Sequence, residues 1–234
     1  MGLPAVVFDT PTSSPVELKP APPSTPTSQP SDFRLRALMS EADWASLPSV
    51  VRRRFSRQLA AGQSIVYSGE ILESRMSRAG WWLAQAARLI GGPLPLTRSA
   101  HGACTHVPTV VTVTGGMGGQ IWTRLYARRN GFPQVIHSSK RFAGPTGLEE
   151  HVGAGVGMTL TVYAREARLI FRSGDYFVDI LRWRMPLPKW ICPGTIYVTH
   201  AELPDGKFSF TLQVIHPRLG LLLRQMAIFR EVVP

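Results

Sequence analysis

The sequence contains few cysteines, few lysines and few acidic residues. Its two cysteines, Cys104 and Cys192, cannot build a disulfide framework and fit a reducing compartment. Only four of the 26 basic residues are lysine, and 15 acidic residues leave a formal net charge of +11. This charge indicates either a phosphate-bearing or anionic-membrane partner or an arginine-rich solvated surface, because net charge informs association and not fold.

Long hydrophobic runs and targeting signals are also missing. The longest apolar stretch, WWLAQAARLIGG at residues 81–92, is too short and too interrupted to span a bilayer. The opening residues MGLPAVVFDTPTSS lack the basic region and the apolar run of a secretory signal. We therefore expect a soluble, cytoplasmic protein.

No motif for a cofactor, a metal or a standard catalytic centre is present. The sequence has no G-x-S-x-G, Walker or H-E-x-x-H pattern. The glycine-rich runs TGGMGG and GAGVG lie among predicted strands and open no helix, so we expect no dinucleotide cofactor. The spacing in HGACTH, at residues 101–106, differs from that of standard zinc sites, so no metal is predicted. The arginines are scattered without an aromatic-basic motif, and no nucleic-acid partner is expected.

The first 32 residues differ in composition from the rest of the chain. They hold eight of the 20 prolines and nine Ser or Thr residues. Such a segment cannot bury enough apolar surface to fold, which predicts a disordered Pro/Ser/Thr-rich tail at residues 1–32. A PxxP-type docking ligand is the alternative interpretation of this tail. Residues 33–234 are predicted to form a single helix-plus-barrel domain.

Helical patterns precede a long region with the period of β-strands. Capping residues and apolar spacing predict three helices. From about residue 105 the apolar period changes from 3.6 to 2, and turn signals such as RNGF, LPDGKF and HPRLG separate the runs. The runs MTLTVYAREARLIFRS, at 158–173, and YFVDILRWRM, at 176–185, are each predicted to be one strand. The predicted helices are Ser40 to Leu47, Ser49 to Gly62, and residues 77–91, the last with Ser77 as its N-cap and Gly91–Gly92 at its C-terminus.

Sequential short strands with tight turns are typical of an antiparallel meander. About eight such strands usually close into a barrel, because closure removes exposed strand edges. We therefore predict a mainly β protein whose meander forms a barrel or a strongly curved sheet, lipocalin-like in shape. Two or three N-terminal helices are expected to pack against it.

The stretch GGQIWTRLYARR has an unusual alternation. Gln120, Trp122, Arg124 and Tyr126 fall on one face of the predicted strand, and aliphatic residues fall on the other. We expect the first face to point into the barrel, because an exposed Trp–Tyr row would leave an apolar patch; the alternative is a solvated face. A buried guanidinium needs a partner. The candidates are an anionic ligand or one of the carboxylates Glu149, Glu150, Glu166, Asp179 and Glu202.

Several runs together resemble a known bacterial family. These are IWTRLY, LEEHVG, MPLPKWICPG and LPDGKFSFTLQVIHPRLGLL, and the resemblance spans about residues 47–231. The family is catalogued as a domain of unknown function, found alone or fused C-terminally to saccharopine-dehydrogenase-like and short-chain-dehydrogenase-like proteins. The resemblance therefore implies a dehydrogenase-like protein as a candidate partner. The family pattern has Glu two residues before the Trp, where this chain has Gln120, so the obvious carboxylate partner of Arg124 is missing.

Three functional hypotheses follow from these features. The leading one is binding of a hydrophobic or amphipathic small molecule with a polar or anionic head inside the barrel. The alternative is a cofactor-independent acid–base isomerase, cyclase or hydrolase that uses Glu149 or Glu150 with His216 and Tyr126. The third is peripheral membrane contact through the helices at 49–61 and 77–91. The predicted ligand-binding residues are Gln120, Trp122, Arg124, Tyr126, Glu150 and His216.

Overall fold

The structure of the protein is a computed structural model, which describes most of the chain from Asp32 onward. Of residues 103 and 104 only the backbone is described. The tail predicted at residues 1–32 lies outside this part of the chain apart from Asp32. The described residues are 32–89, 94, 103–104, 106–116, 118–128, 131–181 and 183–232.

Four helices and twelve strands make up this part of the chain. The strand at Val107–Gly116 shows most clearly the two-residue burial period that the sequence predicts, because successive side chains point to opposite faces. The helices are α1 (Arg34–Ala37), α2 (Glu41–Ser46), α3 (Ser49–Phe55) and α4 (Arg78–Leu89). The strands are β1 (Ser64–Met76), β2 (Ala103–Cys104), β3 (Val107–Gly116), β4 (Gly119–Tyr126), β5 (Gln134–Arg141), β6 (Glu149–Gly153), β7 (Val156–Arg165), β8 (Arg168–Ile180), β9 (Trp183–Pro186), β10 (Thr195–Glu202), β11 (Lys207–His216) and β12 (Gly220–Val232).

Ten of the strands form a closed antiparallel barrel, which confirms the predicted fold class. The order around the ring is β10, β11, β12, β1, β3, β4, β5, β6, β7 and β8. The ring closes where β8 pairs with β10, with Leu169 opposite His200 and Arg172 opposite Tyr197. Two short strands lie off the ring, since β2 extends the pairing of β1 and β9 pairs with the end of β8. Closure satisfies the backbone groups that an open edge would expose.

Different helices cover the two ends of the barrel. At one end, α3 places Phe55 against the ring of His200 with their centroids 5.0 Å apart, and α1 and α2 pack beside it. At the other end, α4 packs Leu83 against the buried cluster of Val214, Leu222 and Leu223. His200 pairs with Phe210 near the start of β11, whereas Val214 lies near the end of that strand. We call these the α3 end and the α4 end.

The contact of α4 with the barrel depends on a glycine. A side chain at Gly80 would place its Cβ 2.1 Å from the carbonyl oxygen of Leu222, so only glycine allows this close approach. The predicted N-cap is confirmed, because the Ser77 hydroxyl accepts the Gly80 N–H at 3.0 Å. The C-terminus predicted at residues 91–92 lies outside the described residues.

The helix predicted from Ser49 to Gly62 is much shorter in the structure. It begins after Pro48 and ends at Phe55, since the chain from residue 60 onward pairs with β3. Gly62 donates to the carbonyl of Gly115 at 3.0 Å. The predicted boundary was therefore wrong, because hydrogen bonds to a distant strand replaced those of a continued helix.

Two predicted strand boundaries were also wrong. Residues 158–173 span parts of two strands, β7 and β8, joined by a tight turn at Glu166 and Ala167 with φ angles of 52° and 57°. Residues 176–185 contain the end of β8 and the start of β9, separated at Leu181, which has φ 56°. Such turns usually show Gly or Asn, and neither residue marks these two positions.

Candidate ligand-binding site in the barrel

The barrel encloses a cavity of about 150 Å³ between its two ends. Inward-facing side chains of the surrounding strands form its walls, and most of them are apolar. A volume of this size is large enough for a molecule such as benzene. Representative wall residues are Val111, Met158, Phe171, Phe210 and Phe229.

One wall of the cavity is polar and is formed by Arg124, Ser138, Lys140 and Glu150, which we call the polar wall. Lys140 and Glu150 are cross-strand partners of β5 and β6, and their Nζ and Oε2 atoms are 3.0 Å apart. Arg124, on β4, donates from Nη1 to the Ser138 hydroxyl at 3.1 Å. Its Nη2 lies 3.6 Å from Glu150 Oε1. The polar wall therefore contains two cations that share one carboxylate.

The titration of the polar wall reflects this imbalance. Burial by itself would raise the pKa of Glu150, but Lys140 and Arg124 outweigh it and lower the pKa to about 2. Burial lowers the pKa of Lys140, and the nearby Arg124 adds to this effect, although Glu150 opposes both. Burial also raises the pKa of the Tyr126 hydroxyl. Glu150 is thus ionised at neutral pH, and the charged form of Lys140 is only partly compensated.

Trp122 joins the polar wall to a smaller hollow toward the α3 end. Lys140 Nζ lies 4.8 Å from the centre of the Trp122 ring, a cation–π contact. The indole N–H donates to Gln120 Oε1 at 3.2 Å. Gln120 lines the smaller hollow, of about 30 Å³, beside Arg54 and Arg57. Its amide therefore holds the Trp122 ring in place and does not line the main cavity.

Gln225, on β12, is a cavity residue that the sequence reasoning missed. Its side chain is buried, and its Nε2 has no hydrogen-bond partner among the described residues. A buried donor without a partner costs free energy, and this one lies on the cavity wall. The signal was available in the run Leu223, Gln225, Ala227 and Phe229, where one amide interrupts an apolar face.

The structure brings most of the predicted site residues together. Trp122, Arg124, Tyr126 and Glu150 line the main cavity. The inward orientation predicted for β4 agrees with this placement, whereas binding of a ligand there stays a prediction.

His216 lies apart from these residues. Its Nδ1 accepts the backbone N–H groups of Arg218 and Leu219, each at 3.2 Å, in the turn between β11 and β12. Phe210 and Leu212 of β11 line the cavity, whereas His216 is the last residue of that strand and lies beyond the cavity, at the α4 end. The imidazole therefore stabilises a turn and does not line the cavity.

Glu149 faces away from Glu150, as the alternation predicts. Its carboxylate is buried against the guanidinium of Arg184, which bonds both of its oxygens. Of the residues in the enzyme hypothesis, the structure places Glu150 and Tyr126 at one cavity and Glu149 on the opposite strand face.

Metal ligands and membrane-spanning helices were also sought in the described residues. They contain no cluster of three or more His, Cys, Asp or Glu side chains arranged to hold a metal ion. Residue His101 of the run HGACTH lies outside them, as does the side chain of Cys104. Among the same residues, no helix has both the length and the apolar character needed to cross a membrane.

Comparison with known proteins identifies a family. Residues 47–229 match the family described as "Domain of unknown function (DUF4166)", and the chain belongs to it. This confirms the resemblance seen in the sequence, while the fusion of relatives to dehydrogenase-like proteins stays a prediction. No curated protein and no solved structure matches the chain.

Proposed function

We propose that this member of the family binds a small amphipathic molecule inside the barrel. The apolar body of the ligand occupies the cavity, and its anionic or strongly polar head lies against Arg124 and Lys140. The observation that carries this proposal is the polar wall, where two half-buried cations share the single carboxylate of Glu150 beside an open volume.

The apolar walls and the volume set the kind of ligand body. A cavity of about 150 Å³ accommodates a group of the size of an aromatic ring. The rings of Phe171, Phe210 and Phe229 line it and supply apolar contact on several sides. A larger ligand fits only if part of it extends out of this volume.

The charges of the polar wall set the kind of head group. The Arg124–Glu150 contact of 3.6 Å is longer than a hydrogen bond, so its guanidinium retains donors for an oxyanion. An anionic head would also stabilise the charged form of Lys140, whose pKa burial lowers. On another wall, the unpaired Nε2 of Gln225 is a donor for a carbonyl or hydroxyl oxygen.

Binding is favoured over the cofactor-independent enzyme that the sequence offered as the alternative. Glu150 is the carboxylate that this enzyme would use as a base at the cavity. A carboxylate with a pKa of about 2 is a weak base at neutral pH. Tyr126, with a raised pKa, stays protonated and suits hydrogen bonding to a ligand.

Substitution of Arg124 by methionine tests the proposal. Benzoate and benzyl alcohol serve as probes that share a ring and differ in charge. In Arg124→Met the affinity for benzoate, measured by isothermal titration calorimetry, is expected to fall at least about tenfold, because a charge-assisted hydrogen bond is lost. The affinity for benzyl alcohol is expected to change little. The fold is expected to survive, since Lys140 still neutralises Glu150.

Arg128→Met is the matched control, because Arg128 is exposed just beyond the end of the same strand. This variant is expected to bind benzoate as the wild type does. Equal loss of benzoate binding in both variants would contradict a specific role of Arg124. Failure of the wild type to bind either probe at millimolar concentration would reject the cavity as a site for molecules of this size.

A further inference from the structure

The α4 end of the barrel carries most of the exposed apolar side chains. Thirteen of the sixteen large hydrophobic residues that are exposed in the described part of the chain lie on the elements and turns of this end. Soluble proteins rarely group so many exposed apolar residues on one side without a partner. The most exposed are Trp82, Leu89, Phe132, Leu181, Trp183 and Trp190.

These side chains come from separate segments that the barrel topology brings to one end. Trp82 lies on α4, Phe132 on the turn between β4 and β5, and Leu181 on the turn between β8 and β9. The strand register places the C-terminal residues of β1, β4 and β8 at the α4 end of the barrel. Trp183, 77% exposed, is the first residue of β9, and Trp190, 82% exposed, follows that strand.

Acidic residues are also distributed unequally between the two ends of the barrel. The described residues that join strands at the α4 end are 77–89, 94, 103–104, 106, 127–128, 131–133, 154–155, 181, 183–194 and 217–219. They contain six Lys or Arg residues and no Asp or Glu. The described residues that join strands at the α3 end are 32–63, 118, 142–148, 166–167 and 203–206, and they contain six basic and five acidic residues.

We propose that the α4 end docks on an anionic lipid membrane surface. Tryptophan is the residue most suited to the headgroup level of a bilayer, because its ring is apolar and its N–H remains hydrated. Arginine and lysine beside it bind the phosphate and carboxylate groups of anionic lipids. The described segments of this end carry no acidic residue, and Asp179, beside them at the end of β8, is paired with Arg184. Little acidic repulsion therefore opposes the approach of an anionic surface.

Only one of the two helices predicted to contact a membrane belongs to this surface. The residues of α4 lie at the docking end, with Trp82 69% exposed. In α3, Arg54 points into the barrel and bonds Glu202, at the opposite end of the molecule. The contact therefore involves α4 together with the segment around Trp183 and Trp190. It does not depend on whether the cavity binds a ligand.

Sedimentation with lipid vesicles tests the proposal. The full chain is mixed with phosphatidylcholine vesicles that either contain or lack phosphatidylserine. Binding is expected only to the anionic vesicles and is expected to weaken as sodium chloride is added, because salt screens surface charge. In the double variant Trp183→Ala/Trp190→Ala the partition coefficient is expected to fall at least about tenfold, since two large apolar side chains no longer insert.

Two controls separate this surface from the rest of the molecule. Phe33→Ala/Ile121→Ala removes exposed apolar residues from the α3 end and is expected to leave vesicle binding unchanged. Arg124→Met removes the proposed ligand contact and is also expected to leave it unchanged, so failure of one proposal is distinguishable from failure of the other. All variants should show the thermal unfolding of the wild type.

Three results would overturn the proposal. One is equal partitioning onto neutral and anionic vesicles at every salt concentration. Another is an equal loss of binding in the α3-end control. The third is a concentration-dependent dimer that Trp183→Ala/Trp190→Ala abolishes while the wild type binds no vesicles, because the surface would then join two copies of the chain.

Discussion

Two groups of buried charges lie inside the same barrel and differ in how well they are matched. At the α3 end, Arg54 Nη1 bonds Glu202 at 2.7 Å and His200 Nε2 at 2.9 Å. Halfway along the barrel, Arg124 and Lys140 share Glu150. The first group has one cation for one carboxylate, and the second has two. The second group also faces the larger volume, about 150 Å³ against about 30 Å³.

The difference separates a structural ion pair from a candidate site. The guanidinium of Arg54 also lies 4.1 Å from the centre of the Phe208 ring, so little room is left around it. Because Arg can only donate, Nε2 of His200 must be unprotonated, and the proton is on Nδ1. A neutral imidazole between matched charges stabilises the attachment of α3. The two cations of the polar wall share one carboxylate beside an open cavity, so they are available to bind a further anion.

The largest expected effect is an acid sensitivity that belongs to the α3 end. Burial first, and then the charge of Arg54, lower the pKa of His200 from 6.5 to about 3. The folded pKa is below the unfolded one, so the stabilisation is complete above pH 6.5 and is lost as pH falls toward 3. The full loss is on the order of 5 kcal/mol. Chemical denaturation at a series of pH values should show the free energy of unfolding falling below pH 6.5.

The variant His200→Gln identifies the source of this sensitivity. Glutamine stays neutral and keeps an acceptor for Arg54. The free energy of unfolding of the variant should therefore fall less steeply between pH 6.5 and 5. If the free energy of unfolding falls as steeply in the variant as in the wild type, other groups cause the acid sensitivity. His200 would then not distinguish the α3 end from the polar wall.

The next effect is the loss of the matched pair itself. Arg54→Leu leaves the carboxylate of Glu202 without its partner, with 17% of its side chain exposed. Breaking such a pair is expected to lower the free energy of unfolding by about 4 kcal/mol. Urea denaturation measures the loss. Arg53→Leu, an exposed position on the same helix, should cost less than about 0.5 kcal/mol; equal losses would mean that Arg54 acts through the helix and not through Glu202.

The smallest effect concerns the unmatched group. The pKa of Glu150 is lowered from 4.5 to about 2, so its stabilisation is present above pH 4.5 and is lost as pH falls toward 2. The loss is about 3 kcal/mol at most. In Glu150→Gln the melting temperature, measured by thermal unfolding, should fall less between pH 4.5 and 2 than it does in the wild type. If the melting temperature falls as much in Glu150→Gln as in the wild type, Arg124 and Lys140 do not stabilise the ionised carboxylate of Glu150.

The alternation of β4 was predictable because a strand has a period of two. Once Trp122 and Tyr126 are assigned to the inside, Arg124 must follow them. The same rule placed Glu149 and Glu150 on opposite faces. It did not bring His216 to the cavity, because alternation gives the face of a residue and not its position along the barrel. His216 is the last residue of β11, past Phe210 and Leu212, which line the cavity.

The partners across the barrel were not predictable in the same way. Lys140 was not among the predicted site residues, although its ion pair with Glu150, at 3.0 Å, is shorter than that of Arg124, at 3.6 Å. Its alternation is as regular as that of Arg124, but its role depends on lying opposite Glu150 in the pairing of β5 with β6. Gln225 was also missed, because the importance of its unpaired Nε2 depends on the cavity beside it, which the sequence does not show.

The sequence by itself determined the β meander and the alternation of side chains along β4. These properties follow from local periodicity and composition, which act over a few residues. Only the tertiary structure decided that β8 pairs with β10, that α3 ends at Phe55 and that two cations meet one carboxylate beside a cavity. Those features depend on strand register and ring closure, which bring together residues that are far apart in the chain.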